Sequence, residues 1–208
     1  MNTAAPTASA GIMGRLKSET AAQHAEAESK PLEAALVAGA IGQDQYKKYL
    51  AQRWLIHREL ESTTDQALKK DARLQSLGLP DLYQTKNLES DLAQLGVDLK
   101  SIEPMKGATK LIAEIKSAPS PATLMGIYVF EGSKNGARYI AKALAGRARI
   151  TALKYLDPHG EAQRGLWMKF RADMDAIAWT PAEQDSMVKS AQATFTSISS
   201  LDDEIHAG

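Results

Sequence analysis

The sequence predicts an all-α single domain of seven to nine helices. Three observations point there. Apolar residues recur at three- and four-residue steps along most of the 208 residues, no stretch shows convincing period-2 alternation, and no internal repeat divides the chain. A chain of this length can bury a substantial core.

The elements follow in order. Residues 1–11, rich in Ala, Thr, Pro and Ser, have neither a charged start nor an apolar run, so they read as a tail rather than a secretory signal, ahead of a domain at 12–208. Residues 16–28, built from Ala, Glu, Gln and Lys, predict a first helix of about four turns. Ser29, Lys30 and Pro31 break it before a short second helix carrying Leu32, Ala35, Leu36 and Gly39. From Gln43 a long amphipathic helix places Tyr46, Tyr49, Leu50, Arg53, Trp54, His57 and Leu60 on one face. Helices are expected next at 83–95, ended by Gly96, and at 108–116, stopped by the Pro-rich hinge 118–121. Residues 121–145 predict one long helix with Leu124, Ile127, Tyr128, Glu131, Tyr139, Ile140 and Leu144 on its apolar side. Gly132 and Gly136 interrupt it, each costing about 1 kcal/mol relative to Ala, which implies a kink or a close backbone approach. A helix at 161–177 precedes the last one, opened by Thr180 as N-cap, Pro181 at N1 and Glu183 at N3 and expected to fray at its C-terminal end.

Composition narrows the function. Twenty-five basic and 25 acidic residues give zero net charge, without the basic field of a nucleic-acid binder. Cysteine is absent, which excludes disulfides, thiolate metal sites, Fe–S clusters and covalent haem attachment through Cys. No run of 18 apolar residues spans a membrane, and a cytoplasmic monomer is the expected state.

Within the first helix Lys17, Thr20, His24 and Glu28 form one stripe, with His24 a turn before a carboxylate able to orient its ring. Spacing alone favours an ordinary surface helix with an i,i+4 His/Glu pair. Likewise Gly132 and Gly136 alone favour a small-xxx-small helix contact. Taken together, two segments change the balance. Leu16, Lys17, Thr20, His24, Ala27 and Glu28 resemble the first helix of the haem oxygenases, and Tyr128-Val129-Phe130-Glu131-Gly132-Ser133-Lys134-Asn135-Gly136-Ala137 is similar to the distal helix of a bacterial subgroup of that family. The resemblance covers residues 12–206 and is strongest at 16–28, 126–137 and 171–195.

What the resemblance implies is specific. Haem b, held without covalent attachment between a proximal and a glycine-kinked distal helix, would be both cofactor and substrate, cleaved with O₂ to biliverdin, CO and ferrous iron. A ferredoxin- or flavoprotein-type reductase would supply electrons, docking on the basic run Arg138, Lys142, Arg147, Arg149 and Lys154. His24 would ligate iron, oriented by Glu28. Gly132, Ser133, Gly136 and Ala137 would form the distal face. Lys17, Tyr128 and Arg171 would hold the propionates, with Phe195 packed beside the macrocycle. Ser133 stands where the mammalian Gly-Asp-Leu-Ser-Gly-Gly pattern has Asp, so distal water would fall to His57 and Arg53, with Trp167 closing the network. The alternatives are a non-catalytic haem carrier or sensor of the same fold and a thiaminase-like enzyme of the same architecture. A di-iron carboxylate protein would need Glu-x-x-His pairs, and the chain has none.

Overall fold

Nine α-helices, joined by short 3₁₀ turns and one π turn, make up residues 11–208 of a computed structural model, and no strand occurs among these described residues. The expected tail at 1–11 lies outside them, apart from Gly11.

The single first helix expected at 16–28 is two helices, α1 (Ile12–Glu19) and α2 (Ala21–Glu28), meeting at Thr20. Thr20 has φ −108° and ψ 5°, and its hydroxyl donates to the Leu16 carbonyl at 2.7 Å. A hydroxyl bonding back one turn competes with helix geometry and bends it. The Thr20 amide still bonds Leu16 and the His24 amide still bonds Thr20, so the side-chain stripe survives the break. α3 (Pro31–Ala38) starts on proline at N1 and stops at Gly39, whose φ of 63° is left-handed. A Cβ there would also sit 2.7 Å from the Ala143 carbonyl oxygen.

α4 (Gln43–Lys70) is the longest helix, and its predicted stripe from Tyr46 to Leu60 is buried. α5 (Thr85–Gln94), α6 (Lys106–Ser117) and α8 (Gln163–Ala176) differ from expectation by one or two residues at most ends. The expected helix at 121–145 divides into a 3₁₀ turn (Ala122–Leu124), α7 (Met125–Ala143) and a π turn (Leu144–Ala148). α7 stays α-helical through both glycines, so the irregularity falls after Ala143 rather than at Gly132 or Gly136. Tyr139, expected on its apolar side, is 73% exposed, because that stretch borders an opening rather than the core.

α9 (Pro181–Ala207) runs through the middle and packs on α1, α2, α3, α4, α6 and α7. Gly107 lets α6 approach it closely; a Cβ there would lie 2.8 Å from Leu201 Cα. Its C-terminal end does not fray: Ile205 is fully buried and its carbonyl accepts from Gln45 at 3.2 Å.

The N-terminus of α9 carries the predicted capping box, Thr180 with Glu183, and Arg73 pairs with Glu183 at 2.6 Å. Thr180→Ala should cost about 1 kcal/mol, read as a Tm lowered by a few degrees. Hydrogen bonds from Arg73 and from the Thr180 amide pull the Glu183 carboxyl down to about 2. Its folded pKa lies below its unfolded one, so its contribution is present above about 4.5 and lost as pH falls toward 2. Glu183→Gln should therefore flatten the acid limb of a Tm-versus-pH curve.

Candidate functional site

A cavity of about 790 Å³ opens between α1–α2 and α7, closed at its inner end by α3, α4 and α9. That volume is in the range of cofactor and small-molecule sites. Every candidate residue but one lines it: Lys17, His24 and Glu28 from α1–α2, Arg53 from α4, Tyr128, Gly132, Ser133, Gly136 and Ala137 from α7, Arg171 from α8 and Phe195 from α9.

On the α2 wall, His24 is half exposed, with Nδ1 3.3 Å from Glu28 Oε2. That contact leaves Nε2 available to a ligand. The Phe195 ring meets the imidazole edge-on at 5.4 Å between centroids. The α1–α2 segment is latched to α8, because Asp175 Oδ1 accepts from the Met13 amide at 2.9 Å and so caps α1 from another helix.

The middle of the α7 wall, from Gly132 to Ala137, presents only small residues to the cavity, with larger side chains on either side of it. A Cβ at Gly136 would meet nothing within 4 Å, and one at Gly132 would meet only the Trp167 ring, at 3.4 Å. Ser133 lines the cavity, yet its hydroxyl donates to the Phe130 carbonyl at 2.8 Å. Trp167 stacks on Phe170 and leans on Tyr128 rather than joining Arg53 and His57. Toward the opening are Lys17 and Arg171, with Tyr128 buried behind them. Burial raises the Tyr128 phenol, opposed by the Thr20 hydroxyl and the Arg171 charge. Exposed Val37 and Tyr139 complete the rim.

The inner end is polar. Arg53 Nη2 donates to Asp202 Oδ1 at 2.8 Å with both side chains buried, while Arg53 Nη1 and Asp202 Oδ2 have no partner. The guanidinium lies over the Tyr49 ring at 5.0 Å and the Phe130 ring at 5.6 Å. Burial pushes the Asp202 carboxyl up and Arg53 opposes it. Glu33 of α3 also lines this end, pushed up to about 7 by burial and by Asp202, with Arg53 working the other way.

His57 is the exception among the candidates. Four residues beyond Arg53 turn a helical side chain by about 40°, which takes His57 out of the cavity wall. It packs behind Phe130 at 4.6 Å, with Nε2 3.3 Å from the Tyr155 hydroxyl. Burial and the charges of Lys134 and Arg53 hold the imidazole neutral, well below its ordinary pKa. Lys134 is itself buried in an ion pair with Glu131, whose other oxygen accepts from Gln163 at 3.4 Å. Tyr155 does face the cavity. Asp91 positions it by accepting the amides of Lys154 and Tyr155 at 3.0 and 2.8 Å.

Sequence reading missed Glu33, Tyr155 and Asp202. Asp202 left one trace, an acid on the buried face of α9 level with Leu201 and Ile205. Glu33, on a two-turn helix, left none.

The donor set suits a large flat metal complex better than a bare cation. Among the described residues no three His, Asp or Glu side chains converge on a metal-sized point. A lone imidazole stands in a mainly apolar cavity facing a helix without a Cβ at Gly136, with cationic side chains at the rim, and these features fit a porphyrin with an axial His.

The family model described as Heme oxygenase matches residues 10–201. The chain belongs to the haem oxygenase family. Solved haem oxygenases share the fold. The Leptospira interrogans enzyme superposes with a TM-score of 0.84 over 94% of this chain and 100% of its own, at 18% identity. Haem oxygenase-1 from the cyanobacterium Synechocystis, solved with haem, gives 0.83 over 95% and 93% at 15% identity. A TenA homologue from P. horikoshii gives 0.71 over 96% and 100%, also at 15%, so the architecture extends beyond haem oxygenases. No curated protein matches by sequence.

Gly136→Leu should leave helicity intact, since a helix former replaces glycine, but fill the cavity, read as unchanged circular dichroism with weakened haem uptake. Asp202→Ala should destabilise by about 3–5 kcal/mol in chemical denaturation, because it leaves the Arg53 charge buried and unpaired.

Proposed function

We propose that the chain is an active haem oxygenase, taking haem b as cofactor and substrate and cleaving it with O₂ and externally supplied electrons to biliverdin, CO and ferrous iron. One observation carries the reading: a single cavity gathers His24, the side-chain-poor face of α7 and the cations Lys17 and Arg171. When bound, haem supplies the iron that activates O₂ and the ring that is cleaved.

The chain's own residues do the rest. His24 would hold the iron, its Nδ1 side engaged by Glu28 so that Nε2 is left for the metal. Lys17 and Arg171 pair with the propionate carboxylates, and Tyr128 adds a hydroxyl. Gly132 and Gly136 would let a flat ring lie close to the α7 backbone, while Phe195 fixes the imidazole from the side. Arg53, whose Nη1 has no protein partner, is the group at the inner end that most needs a water. His57 acts only through Tyr155, by bonding its hydroxyl. Electrons come from a ferredoxin- or flavoprotein-type donor. Of the basic run, Arg138 faces Asp157 and Glu161, Arg147 bonds the Ala38 carbonyl and Lys154 bonds the Ser90 hydroxyl, so Lys142 and Arg149 are the cations left for docking. The domain spans 12–208 and works as a monomer in the cytoplasm; no described helix is long and apolar enough to cross a membrane.

A second reading, a haem carrier or sensor without turnover, has its own observation: no carboxylate stands at Ser133, and that hydroxyl is engaged by a backbone carbonyl. Aerobic reconstitution separates the two. The purified chain should bind haem one to one with a Soret band and, given ascorbate or a ferredoxin system, convert it to biliverdin identified by chromatography. His24→Ala should lose the Soret band of the complex and product formation together. A His24→Ala protein with the wild-type spectrum and product overturns the assignment, and a stable haem complex that never yields biliverdin favours the carrier.

A further inference from the structure

The inner end of the cavity holds more polar chemistry than a porphyrin slot needs. Two side chains buried by more than nine-tenths, Arg53 and Asp202, are bonded to each other, yet each keeps one polar atom unpartnered, Nη1 on one and Oδ2 on the other. A buried donor and acceptor without partners cost about 1–3 kcal/mol each, so the end of the cavity that Arg53 and Asp202 line is where water would be held most strongly. Glu33 lines the same cavity, is within electrostatic reach of both, and is the one residue of the three that is partly exposed.

We propose that Glu33 carries protons between solvent and the inner end of the cavity, with the Arg53–Asp202 pair holding the water that passes them on. This rests on the haem oxygenase reading and deepens it, because reducing O₂ at the site consumes protons and Ser133 supplies no acid on the α7 side. In each transfer the Glu33 carboxyl gives its proton to the held water, that water gives one onward into the cavity, and the carboxylate is reprotonated from outside. Asp202 is a positioning residue acting through Arg53.

The electrostatics suit the role. Glu33 is pushed up to about 7 by burial first and by Asp202 second, against Arg53, with Glu28 of α2 adding to the rise. A carboxyl titrating near the working pH can both hold and release a proton. The other cation against α3, Arg147 of the π turn, is bonded to the Ala38 carbonyl, and Lys30 at the start of α3 pairs with Asp203 and Glu26. Neither is committed to Glu33.

The test has two arms. In the apoprotein, ¹³C NMR of the Glu carboxyl carbons should show one resonance titrating near 7, lost in Glu33→Gln and moved down in Asp202→Asn. Glu33 titrating with the ordinary glutamates overturns the proposal. In the haem-loaded protein, Glu33→Gln should keep the wild-type Soret band and haem affinity while biliverdin formation slows roughly ten-fold or more and its solvent deuterium isotope effect grows. Glu33→Asp should recover part of the rate, which a merely structural role would not require. A wild type that turns over while Glu33→Gln matches it in rate and isotope effect overturns this inference alone. A wild type that binds haem and yields no biliverdin overturns the parent reading and this one with it.

Discussion

A buried ion pair between two long helices sets the register of this molecule. Arg53 of α4 meets Asp202 of α9 at 2.8 Å, and neither side chain reaches solvent. Burying one such charge alone would cost several kcal/mol, and only close pairing offsets it. Sliding α9 along α4 by even one turn would strand both ions. The same register sets Phe195, two turns before Asp202 on α9, edge-on to His24, and Tyr49, one turn before Arg53 on α4, under the guanidinium. The pair stabilises less than apolar side chains of similar volume would. What it secures is one alignment of α4 and α9, and with it the shape of the inner wall.

The opposite economy operates on α7. Its backbone gives up helix propensity at Gly132 and Gly136, and the helix stays regular because its other face is anchored by buried side chains from Tyr128 to Ala141 and by the Glu131–Lys134 pair. Anchored on one side and small from Gly132 to Ala137 on the other, α7 gives that part of the cavity a surface that depends little on rotamers. The cavity is therefore preorganised by packing around it rather than by contacts within it.

Much of this was legible in the sequence, and for local reasons. The stripe of Lys17, Thr20, His24 and Glu28 depends only on helical spacing, so it survived the split of the first helix at Thr20. The Thr180 capping box, the buried face of α4 and the gathering of the α7 glycines with His24 were readable for the same reason or through the family resemblance. What was not readable depends on contacts between distant segments. His57 and Arg53 share a helix stripe, but the wall of the cavity passes between them, and only the placement of Tyr155 by Asp91 shows on which side His57 falls. Glu33 and Asp202 lie 169 positions apart in the chain and meet at one end of a cavity that neither helix forms alone. The π turn after Ala143 likewise has no local marker.

The latch between the Met13 amide and Asp175 has a mechanical consequence. It ties the segment bearing the imidazole to the helix bearing Arg171 and Trp167, so one hydrogen bond spans two parts of the cavity wall. The α3 and α7 side of the rim has exposed Val37 and Tyr139 instead. Asp175 thus does two jobs at once, closing the amide end of α1 and keeping the His24 segment in register with Arg171.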